Sequence, residues 1–425
     1  MAKRQPSLLI LSQVFWPDAA AVGQYMTSAA IEMARRGWRV RVLTSGCGYN
    51  DPTVKYRRRE YHCGVEIVRL PLSSFGKRRF LIRALAAALF MLQTILRALV
   101  MRRFDVLLVS TSPPMCIVAA LAIRYFRRTA VKFWVMDINP DQLIALGHIK
   151  PTSFLAHAMN ACNVMILRRA ANSIVLDRYM AETMNRKLHT PVRLAVLPPW
   201  PLEAHIESIP RDQNPFRKLH HIEDKFVFMY SGNHGLALPL DTFLQAALRF
   251  KDDPRLAFVF VGEGVRKKEV DRIIRDRAMN NMLSLPYQPL EQLRYSLSAA
   301  DVHLVTMDDR MVGIIHPCKV YGAMAVSRPV LYIGPRPSHV SDLIDEYHCG
   351  LHVNHGDVAG AAHAIESFAA MPLDQLVAMG RSGRQLLHGA LREEVLRGQF
   401  CDVLESGVTS TPHTPSPATP SIPAS

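Results

Sequence analysis

The stretch "LPPWPLEAHIESIPRDQNPFRKL", residues 197–219, decides how this chain divides. It is rich in proline and polar residues, and neither a helical nor a strand period runs through it. Such a segment separates folded elements and does not continue them. The same alternation of apolar runs and helical patterns stands on both sides of it, so the 425 residues read as two domains. We place the first at 1–200, a connection at 201–224 and the second at 225–405. The last helix of that span either closes the second domain or returns to the first. Residues 406–425, "SGVTSTPHTPSPATPSIPAS", hold too little apolar surface to fold and are expected to be disordered.

Upstream of the break, "SLLILS", "WRVRVLT", "GVEIVRLP", "FDVLLVS", "AVKFWVM" and "VRLAVLP" read as strands. Helical patterns cover residues 22–36, 81–101, 115–126 and 154–169. Downstream, "KFVFMYSGN", "LAFVFVGEG", "NMLSLPYQ", "DVHLVTM" and "RPVLYIG" read as strands, each followed by a helical pattern. Strands alternating with helices predict parallel sheets covered on both faces. The fold class expected is α/β, as two Rossmann-like, doubly wound domains facing across a cleft. Ligands on such sheets bind beyond the carboxyl ends of the strands, here in the cleft.

The net charge is +15 and unevenly placed. Residues 1–200 hold 29 Lys/Arg and 10 Asp/Glu, whereas residues 201–425 hold 22 and 26. The first half therefore suits a polyanionic partner, either nucleic acid or an anionic membrane surface. Its basic runs lack interleaved aromatics and any recognition module, which argues against nucleic acid. The seven cysteines are scattered and form no CxxC pair, which argues against a disulfide framework and a zinc site and fits a reducing compartment. The first residues read as a buried strand and not as a signal peptide.

"FLIRALAAALFMLQTILRALVMRR", residues 80–103, raises the question of a membrane span. Arg83, Gln93 and Arg97 interrupt it, and a central arginine is costly in hydrocarbon. Two readings stay open: a buried helix of the first domain, or a helix lying in the membrane surface. Flanking Lys77, Arg78, Arg79, Arg102 and Arg103 favour the second.

Several strand ends carry candidate chemistry. In "YSGNHG", Gly232 and Gly235 bracket Asn233, letting backbone N–H groups approach a phosphate; a tight turn is the other reading. "FVGEG" sets Gly262, Glu263 and Gly264 at the next strand end, as a pocket lining or as a plain turn. In the first domain, Gly23 of "PDAAAVGQYM" sits at a helix start and leaves room for a ligand. Asp137 of "FWVMDINPDQ" follows a buried strand, as an acid, base or acceptor-binding group, or as a turn cap. Lys319, in "GIIHPCKVYGAMAVSRPVLYIG", stands at the start of an apolar helix. A helix start already carries partial positive charge, so an added ammonium there suits an anion; a solvated lysine is the alternative. Adjacent Asp308 and Asp309 lack supporting ligands, and no metal site is expected. No Walker loop, GxGxxG, or Ser–His–Asp or Cys–His arrangement is present.

These stretches together carry a resemblance. "SQVFWPDAAAVGQYM", "STSPPM", "VMDINPDQLIALG", "NPFR", "YSGNHG", "FVGEG" and "HPCKVYGAMAVSRPVL", in that order, resemble the family 4 retaining glycosyltransferases of the GT-B fold. They are most similar to the branch serving bacterial fucosamine-type and colanic-acid-type surface polysaccharide. The resemblance implies a metal-independent, hexosyl-type transfer with retention, with a nucleoside-diphosphate sugar as co-substrate and no other cofactor. The second domain would hold the donor, with Pro317, Lys319 and Tyr321 in the matching segment and Tyr287 near the base or sugar. The first would hold the acceptor, a polyprenyl-diphosphate-linked glycan at the inner face of the cell membrane, making the protein peripheral there. Departures are clear. The family's E-x7-E pair falls on Ile314 and Gly322, Cys318 replaces a serine and Ser327 a glycine, and "GNHGLALPLD" lacks the usual Arg and Lys. The alternative function is an inactive scaffold of this fold that binds nucleotide or glycan.

Overall fold

The computed structural model describes residues 4–18, 20–48, 51, 53–71, 80–111, 116–188, 192 and 194–407. Most of the Ser/Thr/Pro tail, residues 112–115 of "STSPPM", and Lys77, Arg78 and Arg79 lie outside them. The chain forms two compact units, Met1–Trp200 with Glu394–Ser425, and Pro201–Glu393.

In the first unit the strands are β1 (Ser7–Leu11), β2 (Arg39–Ser45), β3 (Arg59–His62), β4 (Val65–Leu70), β5 (Val106–Ser110), β6 (Ala130–Trp134), β7 (Asn172–Val175) and β8 (Leu194–Val196). Among the described residues they form one sheet in the order β3-β4-β2-β1-β5-β6-β7-β8. Ile10 stands beside Val42 of β2 and Leu108 of β5, both pairings parallel. The apolar runs expected as strands are β1, β2, β4, β5, β6 and β8. Two strands carry weaker signals. β3 is polar and half exposed, and pairs antiparallel with β4 at the sheet edge. β7 is four residues long and follows a helix without a turn signal.

The second unit holds β9 (Phe226–Ser231), β10 (Leu256–Val261), β11 (Met282–Leu285), β12 (Val302–Thr306), β13 (Val330–Ile333) and β14 (Gly350–Val353). Their order is β11-β10-β9-β12-β13-β14, all parallel. β9 and β10 are continuous apolar runs because both faces are covered. Phe228, Tyr230, Phe258 and Phe260 enter one core, while Val227, Met229, Val259 and Val261 enter the other. After β9 the chain winds outward through β10 and β11, then returns to lay β12 on the other side of β9. The crevice at that reversal, beyond the carboxyl ends of β9 and β12, is the place where such sheets bind ligands.

One segment lies elsewhere than the sequence suggested, and the last helix takes one of the two places left open for it. Residues 201–224, expected as a connection, belong to the second unit. Asn214 caps the short helix Pro215–Leu219 and donates to Tyr295 O at 2.9 Å. Arg217 is fully buried and pairs with Asp301 at 2.7 Å, whose carboxylate also accepts from Val227 N. Polar anchors of this kind leave no hydrophobic period. The helix Glu393–Glu405 belongs with the first unit from Glu394 onward. Its Phe400 ring lies 4.6 Å from Trp134 and 5.4 Å from Trp200. Arg36 pairs with Asp402 at 2.6 Å and Glu405 at 3.2 Å. The buried Lys132 ammonium donates to Val403 O and Ser406 O, each at 2.8 Å, and to Asn172 Oδ1.

Candidate functional site

The loop after β9 begins with Gly232, whose φ of 128° is open to glycine and strained for other residues. A Cβ there would stand 2.7 Å from Lys319 Cε. The missing side chain thus makes room for the lysine stem. Lys319 is the first residue of the helix Lys319–Ala325, preceded by Cys318, which makes no side-chain cap. Its Nζ donates to Asn233 O at 3.1 Å and lies 5.0 Å from the centre of the Tyr230 ring. Tyr230 Oη donates to the same Asn233 carbonyl at 2.7 Å. One carbonyl therefore fixes both the ammonium and the loop. Burial lowers the Lys319 pKa to about 8, so the group is cationic at neutral pH and close to its titration.

The loop after β10 is pressed onto this one. Gly262 (φ 133°) and Gly264 (φ 146°) both lie outside the range of L side chains. A Cβ on Gly262 would come within 2.0 Å of Gly232 O, and one on Gly264 within 2.5 Å of His234 O. The backbones are laced together: Gly232 N donates to Val261 O at 2.9 Å and His234 N to Glu263 O at 2.8 Å. His234 is fully buried, and neither ring nitrogen has a hydrogen-bond partner among the described residues. Burial, and then the charges of Lys319 and Lys267, push its pKa down to about 4, so the ring is neutral. Gly235 has an ordinary φ, and a Cβ there would meet only the Asn233 side chain, at 3.2 Å.

The sequence of "GNHGLALPLD" showed no cation after the first glycine loop, and the fold brings two from the second. Arg266 N donates to His234 O at 3.1 Å, and its guanidinium reaches Leu236 O at 3.4 Å. Lys267 Nζ donates to Gly262 O at 2.8 Å, Leu285 O at 3.1 Å and Glu263 Oε1 at 2.9 Å. The signal was legible in "VRKKE", directly after "FVGEG", but only the pairing of β9 with β10 puts those residues beside His234. Glu263 is exposed apart from this ion pair. Tyr287, half exposed at the end of β11, has its hydroxyl pKa raised first by burial and also by the Glu263 carboxylate, against a hydrogen bond from the Glu263 backbone.

Gly232, Asn233, Gly235, Gly262, Glu263, Gly264, Tyr287 and Lys319 therefore gather at one end of the second unit's sheet. Pro317 is buried just before the Lys319 helix. Tyr321 is buried too, and its hydroxyl lies 2.8 Å from His316 Nε2 and 3.0 Å from His339 Nε2. That places it beneath the loop, as a brace and not as an open contact. Asp308 accepts from the Arg310 backbone at 2.9 Å and from its guanidinium at 2.7 Å.

Gly23 and Asp137 belong to the first unit. Gly23 lies in the helix Ala21–Arg35, where a Cβ would meet Val14 Cγ1 at 3.0 Å and Phe15 N at 3.3 Å. Close packing of the helix on the loop after β1 accounts for this glycine. Asp137 follows β6. Its backbone N–H, like that of Met136, donates to Thr111 Oγ1, at 3.0 and 3.1 Å. Burial raises the Asp137 carboxyl pKa to about 6. A carboxyl group so shifted at a strand's carboxyl end can hold or release a proton near neutrality.

Comparisons with known proteins agree with this architecture. Residues 20–200 match the family described as Glycosyl transferase 4-like domain, and residues 212–386 match Glycosyl transferases group 1. The chain is 28% identical over 321 residues to the glycosyltransferase WbjE of Pseudomonas aeruginosa, covering 75% of this chain and 79% of that one. It is 24% identical over 337 residues to the colanic acid biosynthesis glycosyl transferase WcaI of Escherichia coli strain K12, covering 75% and 81%. Sucrose-phosphate synthase from Thermosynechococcus elongatus superposes with a TM-score of 0.75 at 15% identity, covering 94% of this chain and 98% of that one. Two doubly wound parallel sheets, matched over most of their length by two glycosyltransferase family models, place this chain among the glycosyltransferases of the GT-B fold.

Proposed function

We propose that this chain transfers a hexosyl unit, with retention, from a nucleoside-diphosphate sugar to a lipid-linked glycan acceptor in bacterial surface polysaccharide synthesis. The observation that carries the reading is Lys319, half-buried against Gly232 and Asn233 where the glycine loops after β9 and β10 meet. A diphosphate set against those loops receives backbone N–H groups and a fixed ammonium. As the bond from the sugar's anomeric carbon to the phosphate oxygen breaks, negative charge grows on that oxygen. The ammonium is already in place, so it favours the transition state over the ground state. Arg266 and Lys267 add positive potential beside His234 and take over from the cations missing in the first loop. Charge neutralisation is thus assigned to side chains, with no metal. No carboxylate nucleophile is assigned, and the acceptor hydroxyl attacks on the face the diphosphate leaves, passing its proton to the departing phosphate.

Asp137 is assigned to the acceptor. Its carboxylate accepts a hydrogen bond from the attacking hydroxyl and orients it. Tyr287 is assigned to base or sugar selection. The polysaccharide context is supported by the name of the Escherichia coli relative above, which refers to colanic acid biosynthesis. The lipid-linked acceptor, and with it a peripheral position on the inner face of the membrane, is supported by the +19 balance of residues 1–200.

The test is a panel of nucleotide sugars scored for release of nucleoside diphosphate, with Lys319→Ala in parallel. At least one donor is expected to turn over, and Lys319→Ala is expected to lower kcat by about two orders of magnitude with the fold intact. Near-normal turnover in the variant would remove Lys319 from the phosphate site. Ile314 and Gly322, at the positions of the family's two glutamates, favour a second reading: a GT-B scaffold that binds nucleotide or glycan without turnover. Donor binding with no diphosphate release across the panel selects it.

A further inference from the structure

The first unit carries an apolar face that its own core does not use. The helix Phe80–Val100 buries Ala86, Phe90, Thr94 and Ala98 on its inner side. Leu85, Leu92, Leu96 and Val100, spaced by seven, four and four, line its outer side; Leu96 is 57% and Val100 77% exposed. The neighbouring helix Cys116–Arg127 packs against it and presents Tyr125 at 75% and Phe126 at 64% exposure, with the rings edge to face at 5.1 Å. A helix on the outside of a soluble domain ordinarily turns polar residues there. Contiguous apolar surface of this kind marks an interaction site.

The rim is cationic. Arg97, Arg102, Arg103 and Arg128 are exposed, and none has a carboxylate partner among the described residues. Between residues 71 and 136 the sequence holds eleven Lys/Arg and one carboxylate, Asp105. That carboxylate already accepts from Arg4 and Ser7. Arg127 acts within the fold instead. Its guanidinium donates to Leu99 O at 3.2 Å and to Met101 O, pinning the end of one helix to the end of the other.

We propose that this two-helix face docks on an anionic phospholipid surface, with the leucines, Tyr125 and Phe126 entering the acyl boundary and the arginines meeting headgroup phosphates. Charge complementarity selects this occupant. In a symmetric pairing of two copies, the same arginine rim would face itself and repel. A nucleic acid would satisfy the arginines and leave the apolar stripe in water. The proposal deepens the lipid-linked acceptor reading by naming the surface that brings the chain to its lipid, and it rests on that reading for its biological purpose.

The test is co-sedimentation of the full chain with phosphatidylcholine vesicles, with and without phosphatidylglycerol, at low and high salt. Wild type is expected to bind the anionic vesicles and to lose binding as salt rises. Tyr125→Ser/Phe126→Ser and Leu96→Gln/Val100→Gln are each expected to weaken binding about tenfold or more. Arg97→Ala/Arg102→Ala/Arg103→Ala is expected to weaken it about a hundredfold. Apolar variants that bind as wild type does, equal binding to neutral vesicles, or a dimer in solution that these substitutions dissociate would each overturn the proposal. Release of nucleoside diphosphate with a water-soluble acceptor is read separately. Its absence in a wild type that binds vesicles as expected sinks the transferase reading and leaves the docking surface standing.

Discussion

Lys319 and Asp137 are both held away from their ordinary titration by burial, in opposite directions. The Asp137 carboxyl is raised to about 6, and the Lys319 ammonium is lowered to about 8. If the carboxylate of one and the cation of the other are required, kcat/KM for the donor rises as pH passes about 6 and falls as it passes about 8. A pH–rate profile checks this: Asp137→Asn removes the acid limb and Lys319→Ala the alkaline one. The sign for stability follows from the same lysine. Its folded pKa is below the unfolded value, so the unfolded chain binds more protons from about 8 up to the ordinary lysine range, and stability rises with pH through that window. Below it the buried charge is a cost, which is why Lys319→Ala is expected to fold. The glycines separate in the same way. Gly262→Ala meets both φ 133° and a carbonyl oxygen 2.0 Å away, whereas Gly235→Ala meets a movable amide side chain at 3.2 Å. We expect the first to cost about 2 kcal/mol or more and to abolish donor turnover. The second is expected to leave both within a small factor, as thermal melts and diphosphate release will show.

At the scale of the element, Ser327 answers a departure noted in the sequence. It stands where the family carries glycine, just past the helix Lys319–Ala325, and its φ is 55°. A left-handed residue after a helix end is the usual place for glycine, because a Cβ there is crowded. Ser327→Gly is therefore expected to raise the stability of the second unit by about 1 kcal/mol, seen as a higher Tm with unchanged turnover. The element scale is also where the sequence was most legible. Residues 22–36 and 154–169 became the helices Ala21–Arg35 and Phe154–Arg169, because long amphipathic periods leave little choice. The strands that escaped, β3, β7 and β14, are four residues each and partly polar. Their pairing is decided by neighbours distant in sequence: β14 lies so close to β13 that a Cβ on Gly350 would stand 2.0 Å from Val330 O. The site followed the same rule. Lys319 and the glycine loops were readable as local motifs, but the placement of Arg266 and Lys267 beside His234 depends on which strands lie side by side.

At the scale of the whole molecule, the chain leaves the first unit at Trp200 and comes back to it at Glu394. The returning helix is part of that unit's core. Phe400 packs among Trp134 and Trp200, and Tyr25 touches the same two tryptophans at 6.0 and 5.4 Å. The buried Lys132 ammonium finds Val403 O, Ser406 O and Ser406 Oγ there, beside Asn172. A chain ending at Arg392 therefore loses an aromatic side chain from the core, worth about 3–5 kcal/mol. It also takes from Lys132 three of its four acceptors, Val403 O, Ser406 O and Ser406 Oγ, worth about 1 kcal/mol or more each. The sum is comparable with the roughly 5–15 kcal/mol that holds a domain folded. We expect the truncated chain to lose the near-ultraviolet circular dichroism of the Trp134–Trp200 pair and the melting transition of the first unit, while the second unit keeps its own. Lys132→Met in the full chain separates the two contributions. Replacing the ammonium by an apolar group of similar length removes the need for acceptors, so this variant is expected to fold and to melt within a few degrees of wild type. A truncated chain that keeps both transitions would show that Phe400 and the Lys132 acceptors are dispensable, and that residues 1–200 close their own core.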